Sequence, residues 1–313
     1  RERNDMAHQR CDWQGVYPAA VTPFTKDGAL DEQATRDLIE VFLADGVHGF
    51  ISVGSTGEWF SLSDQERVRV FEIYKEQVKG RVPVVAGTSA IGTRETVALT
   101  QAAKDLGLDG CMVLPPPYAM PTKEEVIGHY AEVAKVGLPI MIYNNPPRTG
   151  INVDAAMASE LAKLPEVVAF KDSTKDLYQT SEAFYAVQDR MACFAGLEPY
   201  GLAAFSRGAV GIVSTISNVC AADVVEYCEH LLAGRYDQVA RSQRTIDECY
   251  HLLAAVGAAN YVFVKEAMAI LGRPGGFPRM PYRPVSDAVR EKIRAGLAKI
   301  DLKGQQATRA AAE

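Results

Sequence analysis

Lys171 stands at the end of an apolar run, in VVAFKDST (167–174), and an ammonium group there needs a reason. Burial disfavours the charged form of a lysine and makes a neutral amine available. A neutral amine attacks a ketone to give an imine, and the protonated imine is an electron sink that turns the adjacent carbon into a nucleophile or a leaving carbanion. Such chemistry needs a proton shuttle beside the imine, and Tyr143, held by the hydroxyl of Ser55, is of the right type. A 2-oxo acid also needs an anion holder. The turn Gly54-Ser55-Thr56-Gly57 can present successive backbone N–H groups to a carboxylate. The competing reading makes Lys171 a strand-end cation paired with Glu58 or Glu198, with Glu58 itself a first-turn carboxylate favoured by a helix dipole. Residue types alone leave both readings open.

Placing these side chains together requires a scaffold. Eight short runs rich in Val, Ile and Ala recur along the chain: 16–24, 49–54, 82–89, 110–116, 139–144, 167–174, 192–198 and 209–217. Each is followed by a segment of helical periodicity. In the first of these segments, Asp31 is expected to cap the helix and Gly46 to end it; in the second, Ser63 and Glu66 form a capping box and Gly80 is the stop. Strands that are apolar throughout, not alternating, indicate a parallel sheet covered by helices. Eight strand–helix units in series predict a (β/α)₈ TIM barrel, in which active sites lie at the C-terminal strand ends. A doubly wound open sheet is the alternative, without the G-x-G-x-x-G that would follow its first strand. Residues 12–233 are therefore assigned to the barrel. Residues 234–303 read as a C-terminal subdomain of three helices, 234–255, 259–271 and 285–300. Residues 1–11 and 304–313 are expected to be flexible termini, with Met6 as the natural start.

Composition narrows the function classes. The chain has 313 residues, 48% of them hydrophobic, which suffices for a large core. A net charge of −6 without any basic block argues against a nucleic-acid partner. No apolar run is long enough to span a membrane, and the polar N-terminus RERNDMAHQR lacks the apolar core of a signal peptide. Six cysteines without a C-x-x-C pair fit free thiols in a reducing cytoplasm. Cys228 with His230 and Cys249 with His251 are spaced i,i+2, which points the side chains apart on a helix, so no metal site is expected. The imine mechanism needs no cofactor.

GSTGE (54–58), YNNPPRTG (143–150) and FKDST (170–174), in this order on strands 2, 5 and 6, resemble the dihydrodipicolinate synthase / N-acetylneuraminate lyase family of class I aldolases. The resemblance runs over about residues 14–302 and includes PRMPYRPVSD in the helical tail. It implies a barrel with a C-terminal helical subdomain, assembled as a homotetramer, and a lyase that forms a Schiff base with pyruvate or another 2-oxo acid. It implies Lys171 as the Schiff-base lysine and Tyr143 as the proton relay hydrogen-bonded to Ser55. Gly54, Ser55 and Thr56 hold the carboxylate, and Tyr118 reaches into a neighbouring subunit's site. Arg148 stands at the entrance to meet the second substrate, and Ile212 and Val213 line the pyruvate pocket. Glu198, at the end of strand 7, is a further substrate-binding candidate.

Arg148 and Tyr118 favour a synthase condensing pyruvate with an aldehyde such as aspartate semialdehyde. Ser55 and DLYQ (176–179) are more similar to N-acetylneuraminate lyases and GSTGEWFSL to sugar-acid dehydratases, so a 2-oxo-3-deoxy sugar acid aldolase or dehydratase, or an N-acetylneuraminate lyase-like aldolase, is the alternative. Trp59, Phe60, Asp64 and Pro117 depart from the lysine-feedback pocket of bacterial synthases, and no inhibition by lysine is expected.

Overall fold

The computed structural model describes residues 11–303. The termini expected to be flexible, including Met6, lie outside these residues apart from Cys11. Eight strands occupy β1 (Gly15–Pro18), β2 (Phe50–Ser52), β3 (Val84–Gly87), β4 (Gly110–Val113), β5 (Ile140–Asn144), β6 (Val167–Asp172), β7 (Ala192–Ala195) and β8 (Ala209–Ser214). All pairs are parallel, in the order β1-β8-β7-β6-β5-β4-β3-β2, and the single bridge Ala19↔Ile51 joins the two ends. The sheet is a (β/α)₈ barrel, not a doubly wound sheet.

The outer layer contains α1 (Glu32–Ala44), α2 (Asp64–Val78), α3 (Thr93–Asp105), α4 (Lys123–Ala134), α5 (Pro146–Thr149), α6 (Ala155–Leu161), α7 (Leu177–Val187), α8 (Gly201–Phe205) and α9 (Ser217–Leu232). The expected caps are present: Asp31 accepts from Ala34 N, and Ser63 and Glu66 form a reciprocal capping box. After α9 the chain forms α10 (Ala240–Val256), α11 (Asn260–Ile270) and α12 (Asp287–Leu297). The first of these starts later than its periodicity suggests, because Gly234 at φ 68° and a 3₁₀ turn over Tyr236–Gln238 intervene. Ile246, Phe263, Met268 and Ile293 of these helices belong to the same hydrophobic cluster as the barrel's outer layer.

A second cluster fills the barrel lumen, where Tyr17, Ile51, Val85, Met112, Met141, Phe194 and Val213 converge. In a strand, successive side chains alternate between these two layers. That alternation decides which residues at the strand ends can reach the site.

Within the outer layer α4 buries His129, whose Nδ1 lies 2.9 Å from the Thr93 hydroxyl while its Nε2 has no partner among the described residues. Burial pulls this imidazole down to about 4. The unfolded chain takes up the proton near pH 6.5, the folded protein only near 4, so the stabilisation is complete above pH 6.5 and is lost as pH falls through 4. A loss of about 3 kcal/mol is expected over that window. Urea midpoints measured between pH 7 and 4 check it, and His129→Asn should flatten the slope.

Candidate active site

Parity in β6 depends on one irregularity. Ile140 pairs with Val167, but Met141 pairs with Ala169, so Val168 has no partner in the register. Val168 and Ala169 both pack towards the lumen cluster, as the two residues of a β-bulge do. From there Tyr143 pairs with Lys171 and Asn144 with Asp172. Without the extra residue, Phe170 would stand beside Tyr143 and Lys171 would turn outward, since a one-residue slip exchanges the two faces. The bulge thus delivers both Lys171 and Tyr143 to the lumen. It sends Asn144 and Asp172 to the outer layer, where Asn144 Nδ2 donates to Asp172 Oδ1 at 2.9 Å.

Lys171 is buried, and its Nζ lies over the Tyr143 ring, 3.8 Å from the centroid. It forms no ion pair with a carboxylate among the described residues. Both carboxylates of the competing reading are engaged elsewhere. Glu58 pairs with Lys265 at 2.5 Å. Glu198 accepts from Ser214 Oγ at 2.6 Å, from Ile216 N at 2.9 Å and from the Tyr250 hydroxyl. Glu198, expected to bind substrate, is fully buried as the knot joining the end of β8 to α10, and it does not face the cavity.

Tyr143 does not take the predicted hydrogen bond from Ser55. Its hydroxyl accepts from Asn145 Nδ2 at 2.7 Å. Burial pushes the phenol up, but the Lys171 ammonium together with hydrogen bonds to Asn145, Ser173 and Lys171 more than offsets this and holds it below the usual tyrosine range. A phenol held down by an ammonium ionises more readily, and its phenolate can accept the ammonium's proton as the amine becomes a nucleophile.

The 54–57 turn and Tyr143 line one cavity of about 610 Å³ together with Arg148 and Ser173, while Lys171 lies beside the Tyr143 ring and is not itself among the lining residues. The Thr56 hydroxyl lies 3.1 Å from that of Thr215. Among the described residues the amides of Ser55 and Thr56 donate to no protein acceptor, so they are free to receive an anion. The turn is entered through Val53 at φ 55°, a conformation that costs a β-branched residue of order 1–3 kcal/mol and recurs at functional sites. Gly54 is buried behind the cavity, where a Cβ would stand 3.2 Å from Ile51 Cγ2.

Parity also separates the two pocket residues predicted on β8. Val213 belongs to the lumen cluster, whereas the Ile212 side chain packs in the outer layer and cannot line the pocket. Arg148 lies at the rim, its guanidinium 5.6 Å from the Tyr261 ring. Tyr118 is 88% exposed at φ 70° and lines no part of the cavity of its own chain. Tyr250, Leu253, Asn260 and Tyr261 close the remaining side from α10 and α11. Asn145 and Ser173 sit within the motifs already singled out, beside the residues chosen from them. Tyr250, Asn260 and Tyr261 carried no sequence signal, because a helical tyrosine or asparagine looks like ordinary packing or surface.

The arrangement is an amine without a counter-carboxylate, a proton acceptor at its side, free amides opposite and a cation at the rim. The profile of the dihydrodipicolinate synthetase family matches residues 12–300. A DapA-like lyase of Rhizobium meliloti, itself uncharacterized, is 50% identical over 293 residues, 94% of this chain and 98% of that protein. The 4-hydroxy-tetrahydrodipicolinate synthase of Syntrophobacter fumaroxidans is 36% identical over 91% of this chain and 98% of its own. The crystal structure of the dihydrodipicolinate synthase of Acinetobacter baumannii, complexed with pyruvate, superposes with a TM-score of 0.88 at 32% identity, covering 93% of this chain and 99% of that one.

Proposed function

Because this chain belongs to the dihydrodipicolinate synthetase family and is a lyase, we propose that its reaction runs through an imine between Lys171 and the carbonyl carbon of pyruvate or a similar 2-oxo acid. The observation that carries this reading is the buried Lys171 ammonium, unpaired by any described carboxylate and 3.8 Å from the centre of the Tyr143 ring. In the proposed cycle the Tyr143 phenolate takes a proton from Lys171, and the freed amine adds to the carbonyl carbon. The carbinolamine then loses water to give the protonated imine. The substrate carboxylate lies on the Ser55 and Thr56 amides, where backbone dipoles hold it without a rotamer cost. Tyr143 gives its proton to the departing hydroxyl and, as phenolate again, takes one from the neighbouring methyl carbon. The resulting enamine forms the new carbon–carbon bond to an aldehyde such as aspartate semialdehyde, whose oxygen receives the Tyr143 proton. Water then releases the product from Lys171.

Arg148 is assigned to the second substrate's carboxylate, and Tyr118 to the site of a neighbouring subunit in a homotetramer. The pyruvate complex of the Acinetobacter baumannii enzyme supports the first substrate. Borohydride trapping followed by peptide mass spectrometry tests the imine: a pyruvyl-derived increment on the Lys171 peptide is expected, and no adduct with any 2-oxo acid would refute it.

The second substrate is assigned by product. Condensation with aspartate semialdehyde supports the synthase. Pyruvate release from a sugar acid, or loss of water from one, moves the same lysine chemistry to an aldolase or dehydratase. Arg148→Ala should raise KM for the aldehyde about tenfold or more, the worth of a charge-assisted contact. The pyruvate concentration for half-maximal trapping should stay unchanged. Equal weakening of both substrates would make Arg148 a structural residue.

A further inference from the structure

The proposed cycle leaves one buried ionic group without a task. Glu58 closes the motif that carries the free amides, and its carboxylate is wholly inaccessible. Its backbone is left-handed at φ 56°. The helix-dipole reading does not account for it, because the carboxylate is turned to α11 and to the loop that follows it. There Lys265, itself 1% exposed, forms an ion pair with Glu58 Oε1 at 2.5 Å, outside hydrogen-bond geometry, and donates hydrogen bonds to the Thr22 and Phe277 carbonyls at 2.8 Å each. Arg279 N donates to the other carboxylate oxygen at 3.2 Å.

These contacts close around the turn. The Thr22 hydroxyl donates to the Gly57 carbonyl at 2.8 Å, and Glu58 N donates to the Ser55 carbonyl at 3.1 Å. The Ser55 carbonyl is therefore held within the turn, which fixes the peptide plane carrying Thr56 N, and Ser55 and Thr56 both line the cavity with their amides bonded to no acceptor among the described residues. Four residues before Lys265, on the same face of α11, Tyr261 lines the cavity beneath Arg148. One ammonium thus touches the framework of the anion-receiving turn and anchors the helix that carries the opposite wall. A buried pair is weak evidence for stability, since apolar residues of similar volume often replace it without loss. What apolar residues cannot supply are the directed bonds around it: Lys265 to the Thr22 and Phe277 carbonyls, and Arg279 N to Glu58 Oε2. Burial pulls Lys265 down, to about 8, against the upward pull of Glu58.

We propose that the Glu58–Lys265 pair is a positioning device that keeps the 54–57 turn in its carboxylate-receiving form and sets its distance from the α11 wall. This rests on the reading that the Ser55 and Thr56 amides hold the oxo-acid carboxylate. The test is the pyruvate concentration giving half-maximal trapping on Lys171, followed beside the melting temperature. Glu58→Gln should raise that concentration at least about tenfold while the trapped fraction at saturating pyruvate is retained.

The double variant Glu58→Leu/Lys265→Met separates positioning from stability. Its melting temperature should return towards that of the parent, because no charge is left unpaired, while the pyruvate requirement stays raised. A pyruvate requirement within twofold of the parent's in either folded variant would overturn the proposal and reduce the pair to a clip between barrel and helices. If the parent itself is not trapped, the imine fails separately. Calorimetric titration of parent and Glu58→Gln with pyruvate then gives the same comparison, and no binding to the parent would overturn the positioning role as well.

Discussion

Lys171→Met is expected to remove turnover by at least about ten-thousand-fold, as loss of a covalent nucleophile does, and at the same time to raise the melting temperature. The two effects have one cause. A buried ammonium without a carboxylate is costly to desolvate, and among the described residues Lys171 forms no ion pair with a carboxylate, with the Tyr143 ring and hydroxyl beside it. Methionine keeps the unbranched stem and removes the charge, so the fold should gain about 1 kcal/mol, equivalent to about 1–2 °C in a chain of this length. Lys171→Arg is the companion variant. It keeps a cation that cannot be deprotonated in a protein, so turnover and trapping should both vanish in a folded barrel. Retained activity in either variant, measured by pyruvate-dependent turnover, would remove the imine mechanism. A lower melting temperature for Lys171→Met would mean that the charge is better solvated than its burial implies.

The second large effect is expected at a residue that touches no substrate. A Cβ on Gly87 would stand 2.2 Å from the Val53 carbonyl oxygen and 3.0 Å from Gly54 N. Those atoms are backbone, and the backbone is already strained, with Val53 at φ 55°. The Gly87 carbonyl in turn accepts from the buried Arg67 guanidinium at 2.6 Å, so β3 cannot retreat freely. Gly87→Ala should therefore shift the start of the 54–57 turn. A destabilisation of about 3 kcal/mol is expected, at the upper end for overpacking. Because the turn carries the free amides, the pyruvate requirement should rise with it. Thermal melts and trapping titrations check the two halves. A variant melting within a degree of the parent would show that β2 and β3 can part by the missing distance.

Much of the barrel was legible because its signals are local. Apolar runs of strand length, each followed by an amphipathic segment with its own cap, can be counted without knowing how they meet. Lys171, Tyr143 and the 54–57 turn were legible for the same reason: strand ends in a barrel converge wherever the strands themselves run. Orientation within a strand was not legible. The bulge at Val168 has no residue type that announces it, yet it decides the face on which Lys171 lies. On β8, sequence reasoning put Ile212 and Val213 together where alternation allows only one in the lumen. Long-range polar pairing was hidden too. Nothing near Glu198 in the chain points to Tyr250, and nothing near Glu58 points to Lys265. Asn145 was passed over because Ser55 offered a hydroxyl partner for Tyr143, although Asn145 is only two residues away, just past the end of β5.

The order of synthesis gives the buried ion pair another meaning. A chain emerges from its amino end, and early elements begin to assemble before late ones exist. Glu58 leaves the ribosome well ahead of Lys265, so a nascent barrel holds an acid at the base of its second loop with no base to meet it. Closing that loop as in the finished protein would bury an unpaired carboxylate, an unfavourable step. The turn therefore has reason to stay open until α11 arrives.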